Sequence, residues 1–299
     1  MNGAVNVFKL PGQTSRDAVD AVRRLSGCRK AGHAGTLDPG AAGVLPVLLG
    51  RATRLQEYLT GLQKTYVAEA TFGIETDSSD AFGKVIAEVD TESIVREDFE
   101  AAIPSFLGEI TQVPPMTSAL KRRGVPLYRL ARRGVEVQRQ SRTVHIGGLR
   151  LLDWRPGRNP QALLEIDCSA GTYIRTLVAD LARQAGSRAF MSFLVRTAVG
   201  PFNYRDGKTV GHTGEEMPEI VPPAEVVGFM PSVMLNDKQA AQVAHGNVPS
   251  GLDLPENEVV RLLWPSHRLV ALAQSERGSS CVRLLRVFLR PEEIGRDHA

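Results

Sequence analysis

Apolar and polar positions change period several times along the chain. From Thr14 to Gly27 the spacing of Ala18, Val19, Val22 and Leu25 predicts a short amphipathic helix, capped by Thr14 or Ser15 and closed at Gly27. Val44 to Leu49 is a nearly continuous apolar run, interrupted by Pro46, and predicts a buried strand; Ala52 to Leu59 predicts a helix. Across Lys64 to Phe72, Tyr66, Ala68, Ala70 and Phe72 alternate with Val67, Glu69 and Thr71, the period of a half-buried strand. Gly73 to Gly83 reads as a polar loop. Further strands are expected at 84–89, 143–152 and 162–168, and helices at 97–107, 126–133 and 172–185.

Strands and helices alternate without a strict βαβ rhythm. The fold class this implies is α+β, with a largely antiparallel mixed sheet flanked by helices. Residues 206–228 are rich in Gly, Pro and Glu and read as a boundary. Beyond them Val259 to Trp264, Leu269 to Ala273 and Val282 to Leu289 carry short strand patterns. The expected organisation is a domain over 1–228 and a small β-rich module over 229–299.

Composition narrows the class. With 299 residues and 42% apolar content the chain can bury a full core. No apolar run approaches the roughly 20 residues of a membrane span, and the first residues lack the pattern of a secretory signal, so the expected location is the cytoplasm. Cys28, Cys168 and Cys281 are widely spaced and never form a C-x-x-C pair, which disfavours a disulfide scaffold or a cysteine zinc site. Net charge is only +3, but its distribution is uneven: 91–205 holds 17 basic against 10 acidic residues, and 206–299 holds 9 against 13. Within the middle third, Lys121, Arg122, Arg123, Arg129, Arg132, Arg133, Arg139 and Arg142 face a single acid, Glu136. That cluster suits phosphate contacts, although a solvated helix face gives the same composition.

Several chemistries are excluded by spacing. The segment KAGHAGTLDPGAAG lacks G-x-G-x-x-G after a strand. Gly207, Lys208 and Thr209 imitate the end of a phosphate-binding loop, but Phe202 stands where its first glycine is needed. No H-E-x-x-H occurs, so no metal is expected. What remains is His33 and Asp38 in a loop of small residues, where a carboxylate can be presented to a bulky ligand. Leu-Asp-Pro-Gly is equally an ordinary β-turn sequence. A glycosidase would need a second acid beside Asp38; the nearest in sequence, Asp20 and Glu57, lie in predicted helices.

Resemblance resolves the choice. GHAGTLDPGAAGVLPVLLGRATR (Gly32 to Arg54) closely resembles the signature of the TruB family of tRNA pseudouridine synthases. KLPGQTS (Lys9 to Ser15), KTYVAEATFGIETDSSDAFG (Lys64 to Gly83), PPMTSALKRRGVPLYRLARRG (Pro114 to Gly134), CSAGTYIRTLVADLARQAG (Cys168 to Gly186) and FLVRTAVGPF (Phe193 to Phe202) follow in the family's order. Residues 5–205 are covered, and the tail is similar to the small RNA-binding PUA-type domain common in the family. Three positions depart from the pattern: Leu10-Pro11 after Lys9, Thr117 where an aromatic is usual, and Gly40-Ala41 in place of a bulkier pair.

The resemblance implies a cofactor-free isomerisation of uridine to pseudouridine, with uridine 55 in the T-loop of tRNA as the target and a monomeric enzyme on the T-arm. It implies that Asp38 is the catalytic carboxylate, that Arg175 pairs with it, and that Tyr66 stacks on the target base. Tyr173 and Leu194 match positions lining the uracil pocket, Lys9 the family's first lysine, and His33 the histidine that fills the space left by a flipped base. Arg129 and Arg132, within the basic cluster, are the expected phosphate contacts. Alternatives are a synthase acting on another RNA, or a non-catalytic RNA-binding or tRNA-folding protein on the same scaffold. Loss of Asp38, Tyr66 or Arg175 would mark the latter, and all three are present.

Overall fold

Ten strands from the first 221 residues join into one sheet in the computed structural model, which describes residues 1–294 apart from 119, 123, 132, 136, 212–215 and 276–281. In chain order the elements begin with β1 (Gly3–Lys9), α1 (Ser15–Ser26), β2 (Ala31–His33), β3 (Ala42–Leu49), α2 (Gln56–Thr60) and β4 (Lys64–Phe72). A hairpin of β5 (Ile74–Thr76) and β6 (Val85–Glu88) precedes α3 (Arg96–Ala102) and β7 (Gly108–Gln112). The small pair β8 (Lys121–Arg122) and β9 (Val125–Pro126) leads into α4 (Leu127–Ala131). Then come β10 (Arg142–Arg155), β11 (Gln161–Cys168), α5 (Ile174–Gln184), β12 (Ala189–Val199), β13 (Phe202–Asn203), β14 (Ile220–Val221) and α6 (Pro223–Val226).

The sheet order is β14-β1-β3-β12-β4-β11-β10-β7, with β2 beside β3 and β13 beside β12. Every pair is antiparallel except β3 with β12, which run parallel and touch at Val195–Ala42 and Arg196–Gly43. The expected α+β class with a mostly antiparallel mixed sheet is therefore the observed one.

Side-chain parity assigns the two faces. Val5, Val7, Leu45, Val47 and Leu49 join α1, α5 and the alternate residues of β4 in one core. Ala4, Val44 and Leu48 point the other way, into a second core completed by Ala52, Leu55 and Leu59 and by Leu263, Leu269, Leu272 and Phe288 of the tail. All eight residues of β3 are buried for this reason, and the run reads as continuous rather than alternating. The tail itself forms β15 (Ser232–Met234), α7 (Asp237–Ala244), β16 (Val259–Trp264), β17 (Arg268–Ser275) and β18 (Val282–Val287), a four-stranded sheet with its own core around Trp264. Across the seam Arg51 pairs with Glu293 at 2.7 Å, and Arg286 with Glu57 at 2.8 Å.

The sequence expectations hold for α1, capped at both ends by Thr14 and Gly27, and for β4, whose bounds match. Others are corrected. The helix expected over 52–59 is a 3-10 turn (Gly50–Leu55) running into α2. That expected over 97–107 ends at Ala102 and continues as a 3-10 turn holding Pro104, which lacks the N–H a further α-helical turn needs. The helix at 126–133 is one turn and a half, Leu127–Ala131, and the one at 172–185 begins at Ile174. The loop at 73–83 opens with β5. The boundary segment contributes β14 to the edge of the main sheet and α6 to the second core.

Candidate active site

Asp38 sits between β2 and β3 on a turn that the sequence dictates locally. Leu37 is buried, and its N–H donates to Ser15 Oγ at 2.9 Å while that hydroxyl donates back to Leu37 O at 3.1 Å, pinning the loop to the start of α1. Ala41 N donates to Asp38 O at 3.0 Å, closing a β-turn with Pro39 at its second position. The turn reading of Leu-Asp-Pro-Gly and its functional reading thus describe the same backbone. Lys9 fixes the far side: its fully buried ammonium donates to Leu10 O, Gln13 O at 2.7 Å and Pro39 O at 3.3 Å. Burial pulls its pKa down to about 8, with the attraction of Asp38 resisting.

Arg196, on β12, is buried beneath the same loop. It donates through Nε to Val44 O at 2.8 Å and through Nη2 to Gly35 O at 3.1 Å. This close approach needs Gly43, whose φ is +119° and where a Cβ would lie 2.2 Å from the Arg196 carbonyl oxygen. Tyr66 stands opposite Arg196 in the β4–β12 register and is buried. Loss of hydration raises its pKa, against the pull of the Arg196 charge.

Arg175, in the first turn of α5, joins these parts. Its side chain is only 4% exposed, and Nη2 lies 3.0 Å from Asp38 Oδ2. Nη1 lies 3.1 Å from Asp80 Oδ2 and donates to Thr117 Oγ1 at 2.5 Å and to Ser78 O at 3.1 Å. A buried guanidinium with this many acceptors is fixed in orientation. Asp38 keeps 45% of its side-chain surface open, so the pair faces outward from a rigid base. The carboxyl pKa of Asp38 is raised, chiefly by lost hydration and further by the charge of Asp80, while Arg175 and Lys9 oppose the shift.

The remaining expected residues fall in different places. Leu194 is buried in the same core as Tyr66, opposite Ala68. Tyr173 caps α5; its N–H donates to Gln112 Oε1 at 3.1 Å, and the Arg142 guanidinium lies 4.5 Å from its ring centre. His33 ends β2 rather than lying in a free loop, and its Nδ1 is buried without a hydrogen-bond partner. Burial and the Arg196 charge lower its pKa, which favours the neutral ring. Arg129 is solvent-exposed on α4 and makes no contact with the Asp38 group; Arg132 lies outside the described residues. Among the described residues no cluster of three His, Cys, Asp or Glu is placed to hold a metal, and no helix is long and apolar enough to cross a membrane. Cys28 and Cys168 are free thiols, and Cys281 is outside the described residues.

Asp80 and Arg196 were not singled out from the sequence, and neither the Arg175 contact of Thr117 nor the Tyr173 contact of Arg142 was foreseen. Sequence reasoning found no second acid beside Asp38 because it searched nearby in the chain, whereas Asp80 arrives from the β5–β6 hairpin. Arg175 stands between the two carboxylates and holds a charge against each, so they do not form the acid and base pair of a glycosidase. The signal was present in one position: Thr117 replaces an aromatic, and its hydroxyl is a direct partner of Arg175.

Known proteins share this arrangement of chain. Residues 23–174 match the model of the TruB family pseudouridylate synthase N-terminal domain. A tRNA pseudouridine synthase B of Symbiobacterium thermophilum is 50% identical over 250 residues, 84% of each chain. One from Pelotomaculum thermopropionicum is 43% identical over 293 residues, covering 93% of this chain and 92% of its own. Among solved structures, a Cbf5-Nop10-Gar1 complex aligns with a TM-score of 0.73 at 27% identity, over 97% of this chain and 86% of the other. An H/ACA RNP bound to a substrate RNA containing 2'-deoxyuridine aligns with a TM-score of 0.73 at 25% identity, over 98% and 87%.

Proposed function

The chain belongs to the TruB family of pseudouridylate synthases, and from that premise we propose that it isomerises uridine to pseudouridine in tRNA, its target being uridine 55 of the T-loop. The observation that carries this reading is the outward-facing Asp38 carboxylate held at 3.0 Å by the buried Arg175. The reaction breaks the bond from N1 of uracil to the ribose, turns the base, joins C5 to the ribose, and then releases the C5 proton while N1 takes one up. Breaking that bond leaves an electron-poor sugar and an anionic base, so the reaction calls for a fixed anion at the sugar and a pocket that retains the base. Asp38 is the anion. Its poor hydration makes the carboxylate a better nucleophile and electrostatic partner than one in water, and Arg175 keeps it charged and aimed.

Tyr66 and Leu194 supply the wall against which uracil rests, and Tyr173 its edge. A uridine in a folded loop must leave its stack first, at a cost of a few kcal/mol, and His33 fills the space it leaves. Arg129, Arg132 and the neighbouring arginines bind phosphates and position the T-arm without reading its sequence. The tail is a PUA-like RNA-binding module of about residues 229–299, set beside the sheet to meet the rest of the tRNA. The enzyme acts as a monomer in the cytoplasm. None of these steps uses a group beyond the chain's own side chains.

The test is to incubate the protein with an unmodified tRNA transcript and map pseudouridine along it. The reading expects one new pseudouridine, at position 55. Modification elsewhere alone would transfer the activity to another target, and none at all would favour the non-catalytic alternative.

A further inference from the structure

Phe82 is 81% exposed, the most exposed aromatic side chain among the described residues, and it stands beside the catalytic turn. Single exposed apolar side chains are common and carry no message by themselves. This one is held in place. The backbone N–H of Phe82 donates to Asp80 Oδ1 at 3.0 Å, and Ser78 Oγ donates to the same oxygen at 2.6 Å. The other oxygen of that carboxylate receives Arg175. One acid therefore ties the guanidinium that faces Asp38 to the backbone that carries the phenyl ring.

The ring rests on Gly40, two residues after Asp38. A Cβ at position 40 would lie 2.0 Å from Phe82 Cε2 and 2.6 Å from Cζ, so the absence of a side chain there makes room for the aromatic. The small residue of the β2–β3 loop and the large one of the β5–β6 hairpin fit each other. On β6, Val85 and Ile86 are also exposed, 55% and 61%.

Building on the tRNA reading above, we propose that Phe82 is a substrate-binding residue that stacks on an unpaired base of the tRNA next to the flipped uridine. Flipping one nucleotide leaves its neighbours without a stacking partner, and an aromatic face already oriented at the rim of the pocket replaces what they lose. Every base has a π-face, so the contact is tolerant of sequence. The fixed backbone lowers the entropy cost of forming it. The contact carries no charge, which separates it from the arginines.

The experiment measures kcat and KM on unmodified tRNA for the wild type, Phe82→Ala, Phe82→Leu and Phe82→Trp, with thermal unfolding of each, and repeats the binding at several salt concentrations. Phe82→Ala is expected to raise KM by roughly 5- to 150-fold, the range of one base–aromatic stack, with kcat within about twofold. Trp restores KM, Leu does not, and the salt dependence of binding is unchanged because every phosphate keeps its cationic partner. Gly40→Ala, which must push the ring aside, raises KM in the wild type and has no further effect in Phe82→Ala. An unchanged KM in Phe82→Ala, recovery by Leu, or a fall in kcat with constant KM would each overturn the proposal and leave the ring as a cover for the turn. An inactive wild type would instead refute the tRNA reading.

Discussion

Asp80 Oδ2 receives Arg175 at 3.1 Å through Nη1, the guanidinium nitrogen that Asp38 does not use. Asp80 thus positions Arg175 and adds a negative charge near Asp38, and that charge is one of the causes of the raised Asp38 pKa.

The pH profile follows from this arrangement. In the proposed mechanism Asp38 acts as an anion, so activity should fall on the acid side through its pKa, at a higher pH than the ordinary aspartate value of about 3.9. Asp80→Asn removes a neighbouring negative charge and leaves Asp38 as the carboxylate paired with Arg175. Both changes favour the ionised form, so the acid limb of kcat/KM moves to lower pH. The same variant lowers kcat, because the guanidinium loses an anchor. A limb that stays in place or moves upward would contradict the electrostatic role given to Asp80.

The basic segment gives a second prediction. Arg129 and Arg133 are exposed, and changing them with Arg132 to Gln should weaken tRNA binding. The slope of log affinity against log salt should fall by about 0.7 to 0.9 for each phosphate that is no longer neutralised. Thermal stability should change little. An unchanged slope would mean that these side chains only solvate the surface.

The seam with the tail gives a third. Arg51 pairs with Glu293 through two hydrogen bonds and also donates to Phe288 O. Its hydrogen bond lowers the Glu293 pKa to about 2. A carboxylate whose folded pKa is depressed stabilises the fold above its unfolded value near 4.3, and that stability is lost as pH falls toward 2. Arg51→Ala should therefore cost about 1 to 3 kcal/mol at neutral pH, and the difference from wild type should shrink below about pH 4.3 in denaturant titrations. A difference that does not vary with pH would place the effect in packing alone.

Deleting residues 229–299 uncovers Val44, Leu48, Leu55 and Leu59, which share a core with Leu263, Leu269, Leu272 and Phe288. The truncated chain should unfold at lower temperature and bind a hydrophobic dye. A simple reading of the tail as a detachable module expects neither. The strand arginines show the same coupling. Simple alternation along β18 sets Arg283 apart from Arg286, but the β17–β18 register shift between Leu272 and Ala273 pairs Arg286 with Leu272 and Arg283 with Gln274, on one face. Arg286 pairs with Glu57 across the seam at 2.8 Å while its side chain stays open to solvent.

What the sequence made legible was local. The α1 helix was readable because Thr14, Gly27 and the apolar spacing agree, and β4 because one of its faces is more deeply buried than the other. The β12 strand was not read as one, since two register shifts against β4, near Met191 and Arg196, break its alternation. In the site, Asp38 was marked by its small-residue loop and Arg175 by resemblance. Asp80 and Arg196 left no local signal, because the β5–β6 loop meets α5, and β12 meets the Asp38 loop, only when the chain is folded.

The most direct measurement of the central claim is pseudouridine formation by Asp38→Asn on unmodified tRNA, beside its tRNA affinity and thermal stability. The amide keeps the shape of the carboxylate but not its charge. Asp38→Asn is expected to fold, bind tRNA and form no detectable pseudouridine in a single-turnover reaction. Pseudouridine formation by this variant at a rate near that of the wild type would contradict it.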